Sequence, residues 1–265
     1  MTEQILFLGV GVLAGILAGL LGLGGGIIVV PSLNILLASH FPSVLVMHMA
    51  VGTSLAVMVF TALSAAYAYH RRKLVLWPLF YKFIPGLLAG TITGSIVARH
   101  LSGHILSIAF GFFLLLVATN MLFSKKPSPH RELPQPLFLN IIAFLMGICS
   151  GFFGIGGGTM IVPFFVYCNV DIRKAAGTSA LCGFPLALTG ATTLIMTGWN
   201  TVASYSVPPG TTGYVYWPAA VLIASGSLLC APLGTRIAVW LPSSVLKKVF
   251  SILLYLTAIN LIMRA

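Results

Sequence analysis

The stretch GLLGLGGGIIVVP at Gly19–Pro31 has a close copy later in the chain, GFFGIGGGTMIVP at Gly151–Pro163. Each copy places three consecutive glycines inside an apolar run that ends in proline. Glycine in a helix interior is destabilising by about 1 kcal/mol relative to alanine. The triplets therefore predict a deliberate interruption of a helix, and its repetition predicts that the interruption matters to the fold.

The composition around these stretches is that of a membrane protein. Of 265 residues, 58% are hydrophobic and only 6% are charged, whereas soluble domains carry roughly 25% charged residues. Apolar runs of about 17–25 residues, the length that crosses a bilayer, recur along the chain. The net charge of +11 comes from short clusters between these runs, which argues against nucleic-acid binding. The four cysteines show no metal-type spacing, and we expect neither a metal nor a cofactor.

The apolar runs divide the chain into two halves of five segments each. Residues 1–123 form a first transmembrane repeat, 124–136 a polar linker and 137–265 a second repeat. The predicted segments are Ile5–Leu21, Ile27–Ser39, His48–Tyr69, Leu74–Ala98, Ile105–Phe123, Leu137–Phe153, Thr159–Cys168, Ala175–Thr197, Tyr214–Val239 and Val245–Met263. The sequence thus predicts an all-α polytopic membrane protein.

Short motifs recur in the same order in both halves and predict an internal duplication. VGTSL at Val51–Leu55 matches AGTSA at Ala176–Ala180, and Trp77–Pro78 matches Trp217–Pro218. The spacing between the last two motifs is longer in the second half. We therefore expect an inserted, extended loop at Gly198–Gly213.

The basic residues predict how the repeats are oriented. Counted along the segments, nearly all of them fall on one side of the membrane, which places the linker in the cytoplasm and both termini outside. An odd number of crossings per half makes the two halves inverted with respect to each other. Inverted repeats with broken or re-entrant helices are typical of secondary transporters. Whether the short second segment of each half crosses fully or is re-entrant stays open.

The glycine triplets are candidates for substrate binding. A half-helix that begins near Gly25 or Gly157 directs unpaired backbone N–H groups and a positive dipole end into the protein, where an anion would bind. The alternative is that these glycines only allow close helix packing, as we expect for Gly11, Gly15 and Gly19 and for Gly86, Gly90 and Gly94. The predicted site residues of this type are Gly24, Gly25, Gly26, Gly156, Gly157, Gly158 and Thr159.

Two hydroxyl pairs complete the predicted site. Thr53 and Ser54, and likewise Thr178 and Ser179, lie in apolar segments, where a hydroxyl needs a ligand, another helix or its own backbone as a partner. The chain has three carboxylates, Glu3, Glu132 and Asp171, all in terminal or loop positions. This pattern disfavours a cation as substrate and favours an anion. Lys82 and Arg236 are candidate charge partners that could equally extend to the membrane surface.

Taken together, the doubled glycine–proline element, each followed by GTS and then by TGSIVARHL or LGTRIAVWL, resembles the sulfite exporter TauE/SafE family over essentially the whole chain. The resemblance implies a multi-pass transporter in the cytoplasmic membrane of a prokaryote. It implies as substrates sulfite, sulfoacetate or other organosulfonates, and it points to the glycine triplets and the GTS motifs. The partners are then a small anion and the lipid bilayer, while a coupling proton or ion and a homodimer stay open.

These observations lead to one main hypothesis and two alternatives. The main hypothesis is alternating access, with the substrate held between two glycine-broken helices near the midplane. The alternatives are an anion-selective channel and a transporter of a non-sulfur carboxylate. An intramembrane enzyme is disfavoured because no Asp/Glu pair or histidine cluster lies within the apolar segments.

Overall fold

The computed structural model describes residues 2–21, 25–123, 133–237 and 243–264, and these residues are mostly helical. The helices are α1 Thr2–Leu21, α2 Gly26–Leu36, α3 Ser43–Arg71, α4 Trp77–His100, α5 Gly103–Phe123, α6 Pro136–Phe153, α7 Gly158–Tyr167, α8 Ile172–Ala203, α9 Trp217–Ile237 and α10 Ser243–Arg264. A 3-10 turn, Leu37–Ser39, follows α2. Most of the predicted linker, residues 124–132, lies outside the described residues.

Within the described ranges, five helices are long and apolar enough to cross a membrane: Ser43–Arg71, Trp77–His100, Gly103–Asn120, Pro136–Phe153 and Ile172–Ala203. Shorter apolar helices accompany them, and each predicted segment overlaps a helix. The ninth segment, predicted from Tyr214, begins three residues before α9, and its last two residues lie outside the described ranges. The chain is therefore a mostly helical, multi-pass membrane protein, as its composition predicts.

The region predicted as an extended loop, Gly198–Gly213, is extended only in its second part. Helix α8 continues to Ala203, and a two-residue antiparallel pair, β1 Thr211–Thr212 with β2 Val215–Tyr216, precedes α9. A Cβ on Gly198 would lie 2.7 Å from the backbone nitrogen of Tyr214. Gly198 is thus a point of close contact inside a helix rather than the start of a turn.

Helices of one half pack mainly on helices of the other half. The main pairs are α1 with α9, α4 with α6, α3 with α8 and α5 with α10. If each helix is matched to the one five places later, the pair of α1 and α9 maps onto the pair of α6 and α4, and the α3–α8 and α5–α10 pairs map onto themselves. The two halves share one hydrophobic core, and exchanging them leaves the pattern of main contacts unchanged.

Glycines set the distance between the paired helices. A Cβ on Gly90 of α4 would collide with the carbonyl oxygen of Phe144 in α6, and one on Gly94 with that of Ile148. In the matching pair, Gly11 and Gly15 of α1 abut the backbone of α9 in the same way. The expected packing role of these glycines is confirmed, because a side chain at any of them would push the two helices apart.

Contacts between loops show which helix ends lie together. His40 Nε2 lies 3.1 Å from Glu3 Oε2, and the rings of Phe41 and Tyr216 are 5.5 Å apart. The start of α1, the loop before α3 and the strand pair therefore share one end of the bundle, here called the Glu3 end. The basic run Arg71–Lys73 lies at the opposite end, because α3 is one continuous helix that extends about 1.5 Å per residue.

Candidate functional site

The glycine stretch of the second half separates two helices. Helix α6 ends at Phe153, Gly154 has a left-handed φ of +67°, and α7 begins at Gly158. The carbonyl oxygen of Gly157 accepts hydrogen bonds from the N–H groups of Met160 and Ile161, at 3.1 and 2.7 Å. The first N–H groups of α7 have no acceptor within their own helix.

The glycine stretch of the first half begins a helix in a similar way. Helix α1 ends at Leu21 and α2 begins at Gly26, after Gly25 with a φ of +77°. The carbonyl oxygen of Gly25 accepts from the N–H groups of Ile28 and Val29, at 3.0 and 3.2 Å. Gly24, a predicted site residue, lies outside the described residues.

The start of α2 touches the segment between α6 and α7. A Cβ on Gly26 would lie 2.7 Å from the carbonyl oxygen of Gly154 and 3.1 Å from the Cα of Ile155. Only glycine fits this approach without displacing backbone. The structure thus brings Gly26, one of the predicted site residues of the first half, against the glycine stretch of the second.

The two threonines of the GTS motifs have matching partners in the opposite halves. Thr53 Oγ1 in α3 accepts a hydrogen bond from the N–H of Tyr216, just before α9, at 3.0 Å. Thr178 Oγ1 in α8 accepts one from the N–H of Leu76, just before α4, at 3.0 Å. Each threonine therefore satisfies a backbone donor at the start of a Trp-Pro helix of the other half.

The two serines of the motifs differ. Ser54 Oγ donates to the carbonyl oxygen of Gly154 at 3.0 Å. The Ser179 hydroxyl is buried and has no hydrogen-bond partner among the described residues. A buried hydroxyl without a partner costs about 1–3 kcal/mol, so its retention requires an explanation.

Ser179 lines a small cavity between the two halves, together with Gly156, Gly157 and Gly158 at the start of α7. Residues of α1, α3 and α9 close the other sides. The cavity has room for about one water molecule, and its described lining contains no charged side chain. The start of α7 and the residue with the unsatisfied hydroxyl thus line the same small cavity.

Two further predicted residues, Thr159 and Lys82, do not line this cavity. Thr159 is half-buried beside it, and Lys82 is exposed near the start of α4. Arg236 is part of α9, but its side chain lies outside the described residues. No group of three histidine, cysteine, aspartate or glutamate side chains that could hold a metal occurs in the part of the chain that the structure describes.

One polar residue of the lining was not predicted. Thr61 faces the cavity from α3, and its hydroxyl donates to the carbonyl oxygens of Met58 and Val57, at 3.3 and 3.4 Å. Its spacing in the sequence could have indicated it: Thr61 follows Thr53 by roughly two helical turns, which places both on one face of α3.

The long apolar helices and the cavity between the two halves define the chain as a polytopic membrane protein. The chain belongs to the sulfite exporter TauE/SafE family, whose model matches residues 7–261. It is similar to a probable membrane transporter protein of Haemophilus influenzae, with 35% identity over 99% of both chains. It is also similar to the probable membrane transporter YunE of Bacillus subtilis, with 28% identity over 95% of this chain and 94% of that protein. No solved structure matches the chain. These relatives identify a membrane transporter and not an enzyme.

Proposed function

We propose that the protein is a secondary transporter of small sulfur-containing anions, such as sulfite, sulfoacetate or another organosulfonate. The substrate would bind at the start of α7, between the two halves. The observation that carries this proposal is the buried Ser179 hydroxyl, which has no partner among the described residues and lines the same cavity as Gly156–Gly158.

The chemistry of the cavity suits an anion. Backbone N–H groups at a helix start donate hydrogen bonds, and the helix dipole adds a positive potential there. The Ser179 hydroxyl adds a further donor, and no carboxylate is found among the described lining residues to repel the ligand. The description of the family as sulfite exporters supports a sulfur oxyanion or sulfonate over a carboxylate.

Alternating access between inverted repeats would provide the movement. The exchanged helix pairs and the two matching threonine hydrogen bonds support a two-fold relation between the halves. The glycine stretches before α2 and α7 would be the breaks of two discontinuous helices. The cavity holds about one water molecule, so a sulfur anion can enter only if the halves move apart.

The charge distribution supports one orientation. Arg71, Arg72 and Lys73 lie at the end of the bundle opposite Glu3, and cytoplasmic loops are enriched in such residues. We place this end and the linker in the cytoplasm of a prokaryote, and the Glu3 end with both termini outside.

Transport by purified protein in liposomes tests the proposal. Vesicles loaded with unlabelled sulfite should accumulate external ³⁵S-sulfite by counterflow, and Ser179→Ala should slow this uptake strongly. Ser225→Ala is the matched control, because Ser225 is exposed on α9 and donates only to the carbonyl oxygen of Leu222. Equal rates for both variants would contradict the binding role of Ser179.

A second measurement separates the proposal from its alternatives. Sulfite or an organosulfonate should raise the melting temperature of the purified protein more than carboxylates do. Stabilisation by cations alone would overturn an anionic substrate. Ohmic single-channel currents in planar bilayers would identify a channel instead of a transporter.

A further inference from the structure

A second cavity lies at the Glu3 end of the bundle and takes no part in the proposed central site. It has a volume of about 490 Å³, within the size range of small-molecule pockets. The end of α2 and the starts of α3 and α5 form most of its wall, and Leu261 of α10 closes one side. Its polar lining residues are Asn34, Ser43, Ser102, His104 and Ser107.

Two long helices begin side by side at this cavity. A Cβ on Gly103, the first residue of α5, would lie 2.9 Å from the carbonyl oxygen of Val44 in the first turn of α3. The starts of the two helices are therefore in direct contact, and both positive dipole ends are directed at the same space. The described lining contains no carboxylate that would neutralise them.

Ser107 points independently to a ligand. The residue is only 7% exposed, and it lines the cavity one turn inside α5. Its hydroxyl forms no hydrogen bond with another described residue, and its oxygen is open to the cavity rather than sealed inside the protein as that of Ser179 is. Its position would allow a bond to a carbonyl oxygen of its own helix, yet none is formed. A bound acceptor would satisfy this hydroxyl.

We propose that this cavity binds an oxyanion, either a free ion such as sulfate or the phosphate of a lipid headgroup. Backbone N–H groups at the starts of α3 and α5 and the Ser107 hydroxyl would donate hydrogen bonds to it, with His104 at the rim. Met47 of this cavity and Met58 of the central one are roughly 16 Å apart along α3. The two sites are therefore separate, and this one does not depend on the proposed transport function.

Histidine NMR of the full chain gives a readout at the site itself. The chain has six histidines, so ¹³C-histidine labelling yields few signals, and His104→Gln identifies that of His104. In an uncharged detergent, sulfate should shift the His104 signal saturably, and Ser107→Ala should raise the midpoint by about tenfold. Ser179→Ala, in the central cavity, should leave the midpoint unchanged.

Controls and a lipid titration complete the test. Ser225→Ala is the matched serine control, and the signal of His70, at the opposite end of α3, is the internal control. Phosphatidylglycerol nanodiscs, compared with phosphatidylcholine nanodiscs, show whether a headgroup occupies the site. A His104 shift with sulfate assigns a free anion, and a shift with phosphatidylglycerol alone assigns a headgroup. No saturable shift with either, or a midpoint that Ser107→Ala leaves unchanged, overturns the proposal.

Discussion

Ser54 and Ser179 occupy matching positions in the two GTS motifs but have different surroundings. Ser54 donates to the carbonyl oxygen of Gly154, whereas Ser179 has no partner among the described residues. We expect Ser54→Ala to lower the free energy of unfolding by about 1–2 kcal/mol. Ser179→Ala should leave it unchanged or raise it slightly, because it removes an unsatisfied hydroxyl.

Equilibrium unfolding in mixed detergent measures both serine variants under the same conditions. The combination of preserved stability and lost sulfite uptake in Ser179→Ala would mark a residue kept for binding. If both variants lose the same stability, Ser179 has a structural partner in the folded protein and the argument for a ligand there fails.

Each of the two GTS threonines accepts a hydrogen bond from a backbone N–H of the opposite half. Replacing Thr53 by valine removes the acceptor of the Tyr216 N–H, and Thr178→Val does the same to the Leu76 N–H. Each change leaves a backbone donor unpaired and should cost about 1–3 kcal/mol of unfolding free energy. The serine variants, which keep the oxygen, should retain most of the stability.

Thr93→Val is the matched control for the threonine variants. Thr93 is exposed on α4, and its hydroxyl donates only to the carbonyl oxygen of Ala89. If Thr93→Val lowers the free energy of unfolding as much as Thr53→Val does, the hydrogen bonds between the halves contribute no stability of their own.

At the scale of elements, glycines decide how closely helices pair. Gly90→Ala would place a Cβ against the carbonyl oxygen of Phe144 and should destabilise by about 1–3 kcal/mol. Gly9→Ala is the control within α1, because nothing lies within 4 Å of its Cβ position. Alanine is the better helix former, so this variant should be neutral or stabilising. Equal destabilisation of both variants, measured by thermal unfolding, would contradict the packing role.

The helices themselves could be predicted from the sequence, but their partners could not. Apolar runs and glycine triplets are local patterns, and they correctly placed the starts of α2 and α7 to within a residue of Gly25 and Gly157. The bond from Tyr216 to Thr53 joins residues 163 positions apart. No local pattern encodes such a contact. The sequence therefore left a ligand, another helix or the backbone open as partners of the GTS threonines, and the structure shows that both accept hydrogen bonds from backbone N–H groups of the other half.

The sequence indicated residues of the central cavity but not the cavity at the Glu3 end, again because only local patterns can be recognised in a sequence. Gly156–Gly158 and Ser179 were predicted because a duplicated motif drew attention to them. The cavity at the Glu3 end is assembled from α2, α3, α5 and α10, and its polar residues come from separate parts of the chain without a shared motif. Ser107 looks like any helical serine until the cavity in front of it is known.

At the scale of the whole molecule, movement of the halves can be tested with a cross-link. Ala62 of α3 and Gly183 of α8 both line the central cavity. A Cβ on Gly183 would lie 3.4 Å from that of Ala62, close to the separation found in disulfides. Cysteines at both positions, in a chain whose native cysteines are replaced, should form a disulfide on oxidation.

This disulfide would hold α3 and α8 together where alternating access requires the two halves to separate. Counterflow of sulfite should therefore fall to background on oxidation and return on reduction, while the Ala62→Cys and Gly183→Cys single variants keep their activity under the same oxidant. A complete cross-link, verified by mass spectrometry, that leaves counterflow unchanged would show that the substrate crosses without separating these helices. The path would then lie elsewhere in the bundle, and the central cavity would be a packing defect rather than a binding site.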